Sequence, residues 1–380
     1  MSDLIAAPKT AADGAEPWTR REIFQQAATL RATQALLASQ RGGIEAFLGP
    51  LLAKPDPRIV LAGAGTSAFI GECLAATLAQ ATGRRVDAVP TTDMVSAPEL
   101  YLEARTPTLL VSFGRSGNSP ESIAAIDLAD ARVADVHHLI ITCNADGALA
   151  KRRGDDAYVV VLPEETHDRG FAMTSSFSAM TYAALAIFSG IAAFGDRNER
   201  IAQAVETVLA DTETAMAALA TREFERVVYL GSGPFQGLAR EAALKLLELT
   251  DGGLVTMHDS TLGFRHGPKT IVNDRTLVVA FLSNDPLTRA YDLDLIAELR
   301  ADKVAGAVLA VSAQDIAGET LRVHGLETAA DSDLLFPYIV PAQLFALHAS
   351  LDRGLTPDTP NKAGTVSRVV KGVRIHSGSA

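Results

Sequence analysis

Arg58-Ile59-Val60-Leu61-Ala62-Gly63-Ala64-Gly65 and Arg226-Val227-Val228-Tyr229-Leu230-Gly231-Ser232-Gly233 stand 168 residues apart in a chain of 380. Each is a short apolar run ending in Gly-x-Gly, the pattern of a buried strand that enters a turn and then a helix. The displacement recurs. Thr108-Leu109-Leu110-Val111 falls on Thr276-Leu277-Val278-Val279, Leu139-Ile140-Ile141 on Ala307-Val308-Leu309, and Val86 to Val89 on Leu254 to Met257. One offset that never slips implies two copies of one α/β unit. Apolar-periodic stretches such as Ala68 to Ala81 and Ser119 to Ala131 alternate with these runs, so the strands are expected to be parallel and covered on both faces. The expected fold class is α/β: two tandem flavodoxin-like doubly wound parallel sheets, with ligands beyond the carboxyl ends of the strands.

Outward from the two copies, Thr19-Arg20-Arg21-Glu22 has the form of a capping box that opens a helix to about Leu37. Asn198 to Ala220 reads as a linking helix, and the Pro/Gly-rich stretch Arg353 to Gly364 as an ordered or lid-like tail. The expected division is a helical segment over 1–41, a phosphate-binding domain over 42–197, a linker helix and acid/base domain over 198–350, and a tail over 351–380.

A hydrophobic content of 48% with 21% charged residues provides for a large core without covalent staples. The net charge of -11 counts against nucleic acid and anionic membranes as partners. It leaves room for a small anion held by backbone N–H groups. Met1 to Thr10 lacks a basic flank leading into an apolar segment, and no apolar run reaches about 18 residues uninterrupted, so a cytoplasmic protein is expected. Cys73 and Cys143 lie in apolar runs and read as buried thiols. The eight histidines show no zinc spacing, and Glu164-Glu165-Thr166-His167-Asp168 reads as a solvated loop, so no metal or other cofactor is expected.

The copies differ where chemistry would be done. After the Thr108 strand, Gly114-Arg115-Ser116-Gly117-Asn118-Ser119-Pro120-Glu121-Ser122 supplies glycines for close backbone approach, three hydroxyls and an early-helix proline. Such a loop can cradle phosphate; it can also be an ordinary Ser/Gly turn. The matching stretch Leu282-Ser283-Asn284-Asp285-Pro286 has lost the glycines and gained a carboxylate that repels phosphate. The following helices show the reverse: Glu241, Lys245 and Glu248 replace Cys73, Thr77 and Gln80. Spacings of four and three put them on one face. A solvated face with an i,i+4 pair would look the same, but the intervening Ala and Leu residues point to a packed helix and hence a cleft. Arg265-His266-Gly267-Pro268-Lys269 adds a loop imidazole in copy two only.

Gly63-Ala64-Gly65-Thr66-Ser67-Ala68 also fits a dinucleotide fingerprint, with Asp87 downstream. Two features weaken that reading: Asp87 sits inside its strand rather than at the end, and Thr66-Ser67 offers hydroxyls that suit a sugar phosphate. No GxxxxGK[ST] sequence is present.

With these motifs in order, the chain resembles the SIS (sugar isomerase) domain family, in particular its AgaS-type ketose/aldose isomerases and amino-sugar-phosphate deaminases. The resemblance spans nearly the whole chain and rests on the paired repeats, Gly63 to Ser67, Arg115 to Ser119, Glu241 to Leu249, His266 to Lys269 and the terminal Asn361 to His376. It is also similar to the isomerase half of glucosamine-6-phosphate synthase. The resemblance implies that Glu248 moves a sugar proton and that His266 opens the ring from a neighbouring subunit, hence a homodimer or larger homo-oligomer. It implies a binding set of Gly65, Thr66, Ser67, Arg115, Ser116, Gly117, Ser119, Thr174 and Ser175, with Glu248, His266 and Lys245 as the catalytic set. Two departures from the synthase stand out. The chain opens Met1-Ser2 rather than with a cysteine nucleophile and glutaminase, so no built-in ammonia source is expected, and Lys362 is displaced from the tail lysine that forms a Schiff base. The expected activity is conversion of a glucosamine or galactosamine 6-phosphate to the ketose 6-phosphate and ammonia. The alternatives are plain aldose-ketose isomerisation, as for tagatose 6-phosphate, and a non-catalytic sugar-phosphate sensor.

Overall fold

The computed structural model describes residues 16–370 and 372–376, so the reading of Met1 to Thr10 lies outside the described residues. The chain opens with α1 (Trp18–Phe24) and α2 (Gln26–Leu52), then runs β1 (Arg58–Gly63), α3 (Thr66–Thr82), β2 (Arg85–Pro90), α4 (Thr91–Ser96), α5 (Pro98–Tyr101), β3 (Thr108–Gly114), α6 (Pro120–Arg132), β4 (Val136–Thr142), β5 (Ala157–Val161) and α7 (Ser175–Ser189). A long α8 (Phe194–Ala220) leads to β6 (Arg226–Gly231), α9 (Pro234–Leu249), β7 (Val255–Asp259), β8 (Thr276–Phe281), α10 (Pro286–Asp302), β9 (Ala307–Ser312), β10 (Thr320–Arg322) and α11 (Asp331–Asp352).

Both sheets are parallel and five-stranded, ordered β2-β1-β3-β4-β5 and, from the opposite edge, β7-β6-β8-β9-β10. This is one doubly wound topology used twice, with helices over both faces as the continuous apolar runs require. The central strands β1, β3 and β8 are buried along their whole length.

The expectation of an unbroken offset is corrected by the pairing. Arg58 pairs with Thr108 and Arg226 with Thr276, which keeps 168. Arg58 also pairs with Arg85, however, and Arg226 with Val255, which stands 170 positions after Arg85. Likewise Leu109 meets His137 and Leu277 meets Ala307, again 170 apart. A two-residue slip leaves every side chain on its own face, so it is invisible to hydrophobic alternation.

The capping box also fails. The N-cap of α1 is Pro17 and no side chain of the motif caps the helix. The free N–H groups of Trp18 and Thr19 instead donate to the carboxylate of Asp358, 2.8 Å each, and Thr19 Oγ1 donates to it as well. Glu22 turns away to accept from the backbone of Arg169 and Gly170. The helical path then continues past Leu37 to Leu52.

Offset partners meet across the centre of the molecule. Asn198 donates to the carbonyl of Leu30, Arg31 pairs with Glu199, and Arg240 with Glu72, each 168 apart, so a pseudo-twofold axis passes between α2 and α8 and between α3 and α9. One continuous apolar cluster takes residues from both halves, including Leu74, Leu185, Leu246 and Leu344. α11 is long and apolar enough to cross a membrane, yet 94% of its apolar window is buried against the rest of the fold, chiefly α8 and α9. It is a core helix, hydrophobic all round because it is covered all round. Cys73 and Cys143 are both free and buried.

Candidate active site

The two Gly-x-Gly turns share one geometry because their helices begin directly against the preceding strand. A Cβ on Gly63 would stand 2.5 Å from the carbonyl carbon of Ser67, and one on Gly231 would stand 2.5 Å from the Cβ of Phe235. Gly65 and Gly233 take positive φ of 56° and 58°, which few other residues adopt. In copy one this turn aims the first turn of α3, Thr66 and Ser67, into a cavity of about 330 Å³.

The opposite wall is the loop after β3. Asn144 Nδ2 donates to the carbonyl of Ser116 (2.8 Å), Leu149 N to that of Gly117 (3.0 Å), and Ala148 N to Asn118 Oδ1 (2.9 Å). Three tethers fix the loop from behind. The N–H groups of Ser116, Gly117 and Ser119 have no partner among the described residues, and α6 begins directly after them with its positive dipole end at the cavity. Gly65, Thr66, Ser67, Arg115, Ser116, Gly117, Ser119 and Glu248 all line this one cavity. Arg115, however, spends its guanidinium on structure, donating to the carbonyls of Phe171 (3.2 Å) and Arg368 (2.5 Å). Burial, aided by the Arg368 charge, lowers its pKa.

The third wall comes from α9. Lys245 Nζ donates to Glu248 Oε2 at 2.6 Å and to Thr66 Oγ1 at 2.9 Å, and stands 3.5 Å from Glu241 Oε1. Lys245 and Glu241 are fully buried, whereas the Glu248 side chain is 25% exposed and faces the cavity. The three-residue face is therefore a graded row, open at Glu248 and sealed at Glu241. Burial pushes the Glu241 carboxyl up to about 8, with the Lys245 charge opposing. Burial acts to lower the pKa of Lys245, but the carboxylates of Glu241 and Glu248 outweigh it and hold the group above its usual value.

Four residues singled out in the sequence stand elsewhere. Thr174 and Ser175 do not line the cavity; Thr174 N, Ser175 Oγ and Ser176 N and Oγ all donate to Asp168, which caps α7. The Glu164 to Asp168 stretch is solvated only at its start: Glu164 and Glu165 are exposed, whereas Thr166 and Asp168 are fully buried. His266 is exposed at the end of the turn Gly263–Arg265 and does not reach the cavity within its own chain. Lys362 is exposed too and lines nothing there.

The sequence leads one to expect an ordered or lid-like tail over Arg353 to Gly364, but the segment that closes on the cavity comes just after it, as a strap the sequence does not place. Asn361 Oδ1 gathers the N–H groups of Thr365 and Val366, after which residues 366–370 cross the cavity as its fourth wall. Arg368 donates to the carbonyl of Asp168 (2.5 Å) while Arg115 donates to the carbonyl of Arg368. These are long-range contacts between charged groups and backbone, and no local pattern announces them. Among the described residues, Asp130, His138 and Asp156 cluster closely enough to hold a cation, but the Arg152 guanidinium already bridges the two carboxylates at 2.6 Å each. Asp87, the acid a dinucleotide would need, is paired with Arg58 (2.6 Å) and Arg85 (2.9 Å) inside β2.

Residues 51–190, which carry the Gly63 turn and the Ser116 loop, match the SIS domain. The D-galactosamine-6-phosphate deaminase AgaS of Escherichia coli is 48% identical over 97% of this chain and 97% of its own. The chain belongs to the SIS domain family. A D-galactosamine-6-phosphate deaminase AgaS from Shewanella sp. (strain ANA-3) is 44% identical over 94% of this chain and 92% of its own. The crystal structure of a tagatose-6-phosphate ketose/aldose isomerase from Escherichia coli superposes with a TM-score of 0.89 at 44% identity, covering 98% of this chain and all of that one. Within this SIS protein the matched segment holds the Ser116 loop, while Lys245 and Glu248 come from the second copy beyond it.

Proposed function

We propose that this protein is an amino-hexose 6-phosphate deaminase/isomerase, with D-galactosamine 6-phosphate as its preferred substrate. The observation that carries the reading is a partly exposed carboxylate, Glu248, in the same cavity as a loop of unpartnered N–H groups and hydroxyls. The names of two full-length relatives favour galactosamine among the amino sugars.

Ser116, Ser119 and the N–H groups of their loop hold the 6-phosphate, so binding energy far from the reacting carbons orients C1 and C2. With the ring open, Glu248 removes the C2 proton and the C1 carbonyl becomes an enolate. Thr66, Ser67 and the N-terminus of α3 face that charge, and Lys245 holds the Glu248 carboxylate from behind. Return of the proton to C1 leaves an imine at C2, which water converts to the ketose 6-phosphate with release of ammonia. His266 has no access to this cavity in its own chain, so its ring-opening role is assigned to a neighbouring subunit of a homodimer or larger assembly in the cytoplasm. Thr174 and Ser175 act in this scheme only as the cap contacts that fix Phe171 and Met173 at the cavity wall. The working domain division is 42–197 for phosphate binding and 198–350 for acid/base chemistry, framed by the segments 1–41 and 351–380.

An ammonia-release assay on the 6-phosphates of galactosamine, glucosamine and their N-acetyl forms tests the reading. Turnover is expected on galactosamine 6-phosphate; isomerisation of tagatose 6-phosphate without ammonia from any amino sugar overturns it. The shared site has its own test. Glu248→Gln and His266→Asn are each inactive alone, and mixing the two restores activity because a mixed dimer has one intact site. If the mixture stays inactive, His266 does not serve a neighbour.

A further inference from the structure

Glu241 is an anomaly. It is fully buried, and among the described residues no donor reaches either carboxyl oxygen in good hydrogen-bond geometry, Lys245 Nζ standing 3.5 Å off, although leaving such a group poorly satisfied costs free energy. A leucine or methionine would fill the same space without that cost. Its pseudo-twofold equivalent, Cys73, is an uncharged buried side chain on a helix that does the same packing, so the fold itself does not require a carboxyl here.

The charged group nearest to Glu241 is Lys245, 3.5 Å away, one turn along α9. Lys245 lies between two carboxyls of unlike exposure: Glu248 at 2.6 Å on the cavity side and Glu241 on the sealed side. A buried ammonium keeps its proton only while a counter-charge is close. In the proposed reaction Glu248 gives up its negative charge whenever it carries the substrate proton. At that stage the cavity side of Lys245 faces a neutral acid, and the sealed side is what remains.

We propose that Glu241 is a positioning residue for the proposed deamination: its carboxyl is the reserve counter-charge that keeps Lys245 an ammonium while Glu248 is protonated. Glu241 does not touch the substrate and transfers no proton to it. The other charged and titratable groups facing this row are Glu248 on α9, Cys73 and Glu72 on α3, and Arg115 at the end of β3, whose charge acts against that of Lys245. None of these is a second acceptor for the sealed side of Lys245. Glu241 acts in its ionised form, with no proton to be moved during turnover; burial pushes its pKa up to about 8 and the Lys245 charge opposes that rise.

The inference rests on reading Glu248 as the proton carrier. Glu241→Gln keeps the shape and removes the charge. The expected result is a fall in kcat with KM nearly unchanged, together with a displacement of the alkaline limb of the kcat profile to lower pH by about one to three units, the size of shift an opposite charge at this range produces. Lys245→Arg stays charged at every working pH, so adding Glu241→Gln to that variant leaves its alkaline limb where it was. An alkaline limb in Glu241→Gln that superimposes on the parent overturns the proposal, whatever happens to stability. If Glu241→Gln does not fold, infrared titration of the parent protein from about pH 6 to about pH 10 decides: no protonated carboxyl band is expected to remain above about pH 8, and a band that persists to about pH 10 overturns the proposal, because a neutral carboxyl supplies no counter-charge. The infrared result does not depend on turnover, so failure of the functional reading is distinguishable from failure of this one.

Discussion

The cavity of copy one has a counterpart in copy two, and the second is the larger, about 600 Å³ against about 330 Å³. The pseudo-twofold axis builds both from the same parts. α3 starts at the first cavity with Thr66 and Ser67 and reaches the second with Thr77 and Gln80; α9 starts at the second with Pro234 and reaches the first with Leu244 and Glu248. The difference lies in who owns the loop. In copy two, Asn284 N and Ser283 Oγ already donate to Asp331 at 2.8 and 2.5 Å, and Asp285 spends its carboxylate capping α10. In copy one the corresponding N–H groups are open, because the nearby acid, Asp168, is turned to the N-terminus of α7 instead. The two loops differ without either cavity closing. Copy two satisfies its loop donors from within.

The comparison breaks first at Glu248. Glu248→Gln gives the α9 face the side chain that α3 presents to the second cavity at Gln80, and turnover is expected to fall by roughly 10² to 10⁴, the usual range for a lost general base. Substrate binding, read by calorimetry, is expected to stay within a few-fold because the Ser116 loop, proposed to hold the phosphate, is untouched. Full activity in this variant would remove Glu248 from the chemistry.

Gly117→Asp is the next largest change, since it installs the Asp285 side chain in the working loop. Gly117 has φ of +64°, and a Cβ there would stand 3.2 Å from Thr142 Oγ1, so strain and charge repulsion act together. Loss of about 2 kcal/mol or more of substrate binding is expected, at least a thirtyfold rise in KM. The reverse change, Asp285→Gly, creates no second phosphate site, because Asp331 still holds the loop donors. A new binding stoichiometry in Asp285→Gly would contradict the account of copy two.

A third break concerns the strap, which among the described residues covers the first cavity and not the second. Arg368→Ala frees residues 366–370 from Asp168 and removes one neighbour of the Arg115 guanidinium. The strap then covers the cavity less often, and KM is expected to rise roughly fivefold, about 1 kcal/mol, with kcat less affected. An unchanged KM would mean that the strap packs over the site without closing it.

Most of the first-order architecture could be read along the chain because local chemistry dictates it. Gly63 and Gly65 are needed wherever a helix starts against its strand, and continuous apolar runs are needed wherever a strand is covered twice. The Ser116 loop and the Glu241-Lys245-Glu248 row were legible for the same reason: each lies on one short segment. What was not legible is set by contacts distant in sequence. Thr19 and Glu22 have the spacing of a capping box, but Asp358 competes for the same N–H groups from more than 300 residues away and Glu22 is drawn to Gly170. Thr174 and Ser175 look like free hydroxyls until Asp168 is seen to face the start of their helix. The two-residue slip of β7 and β9 preserves side-chain parity and so leaves no trace in the pattern.

The smallest expected effect sits at the root of the strap and separates its anchoring from its closure. Asp358 caps α1 through Trp18 and Thr19, so the tail is bound to the first helix before it turns at Asn361 and crosses the cavity. Asp358→Ala removes a cap made from outside the helix, and loss of a capping carboxylate costs about 1 kcal/mol. The urea midpoint is therefore expected to fall by the equivalent of about 1 kcal/mol at unchanged slope. KM should change less than in Arg368→Ala, because residues 366–370 keep their own hold on Asp168 and Arg115. If Asp358→Ala instead raises KM as much as Arg368→Ala does, the strap is closed from its root, and the hold of Arg368 on Asp168 follows from that closure rather than causing it.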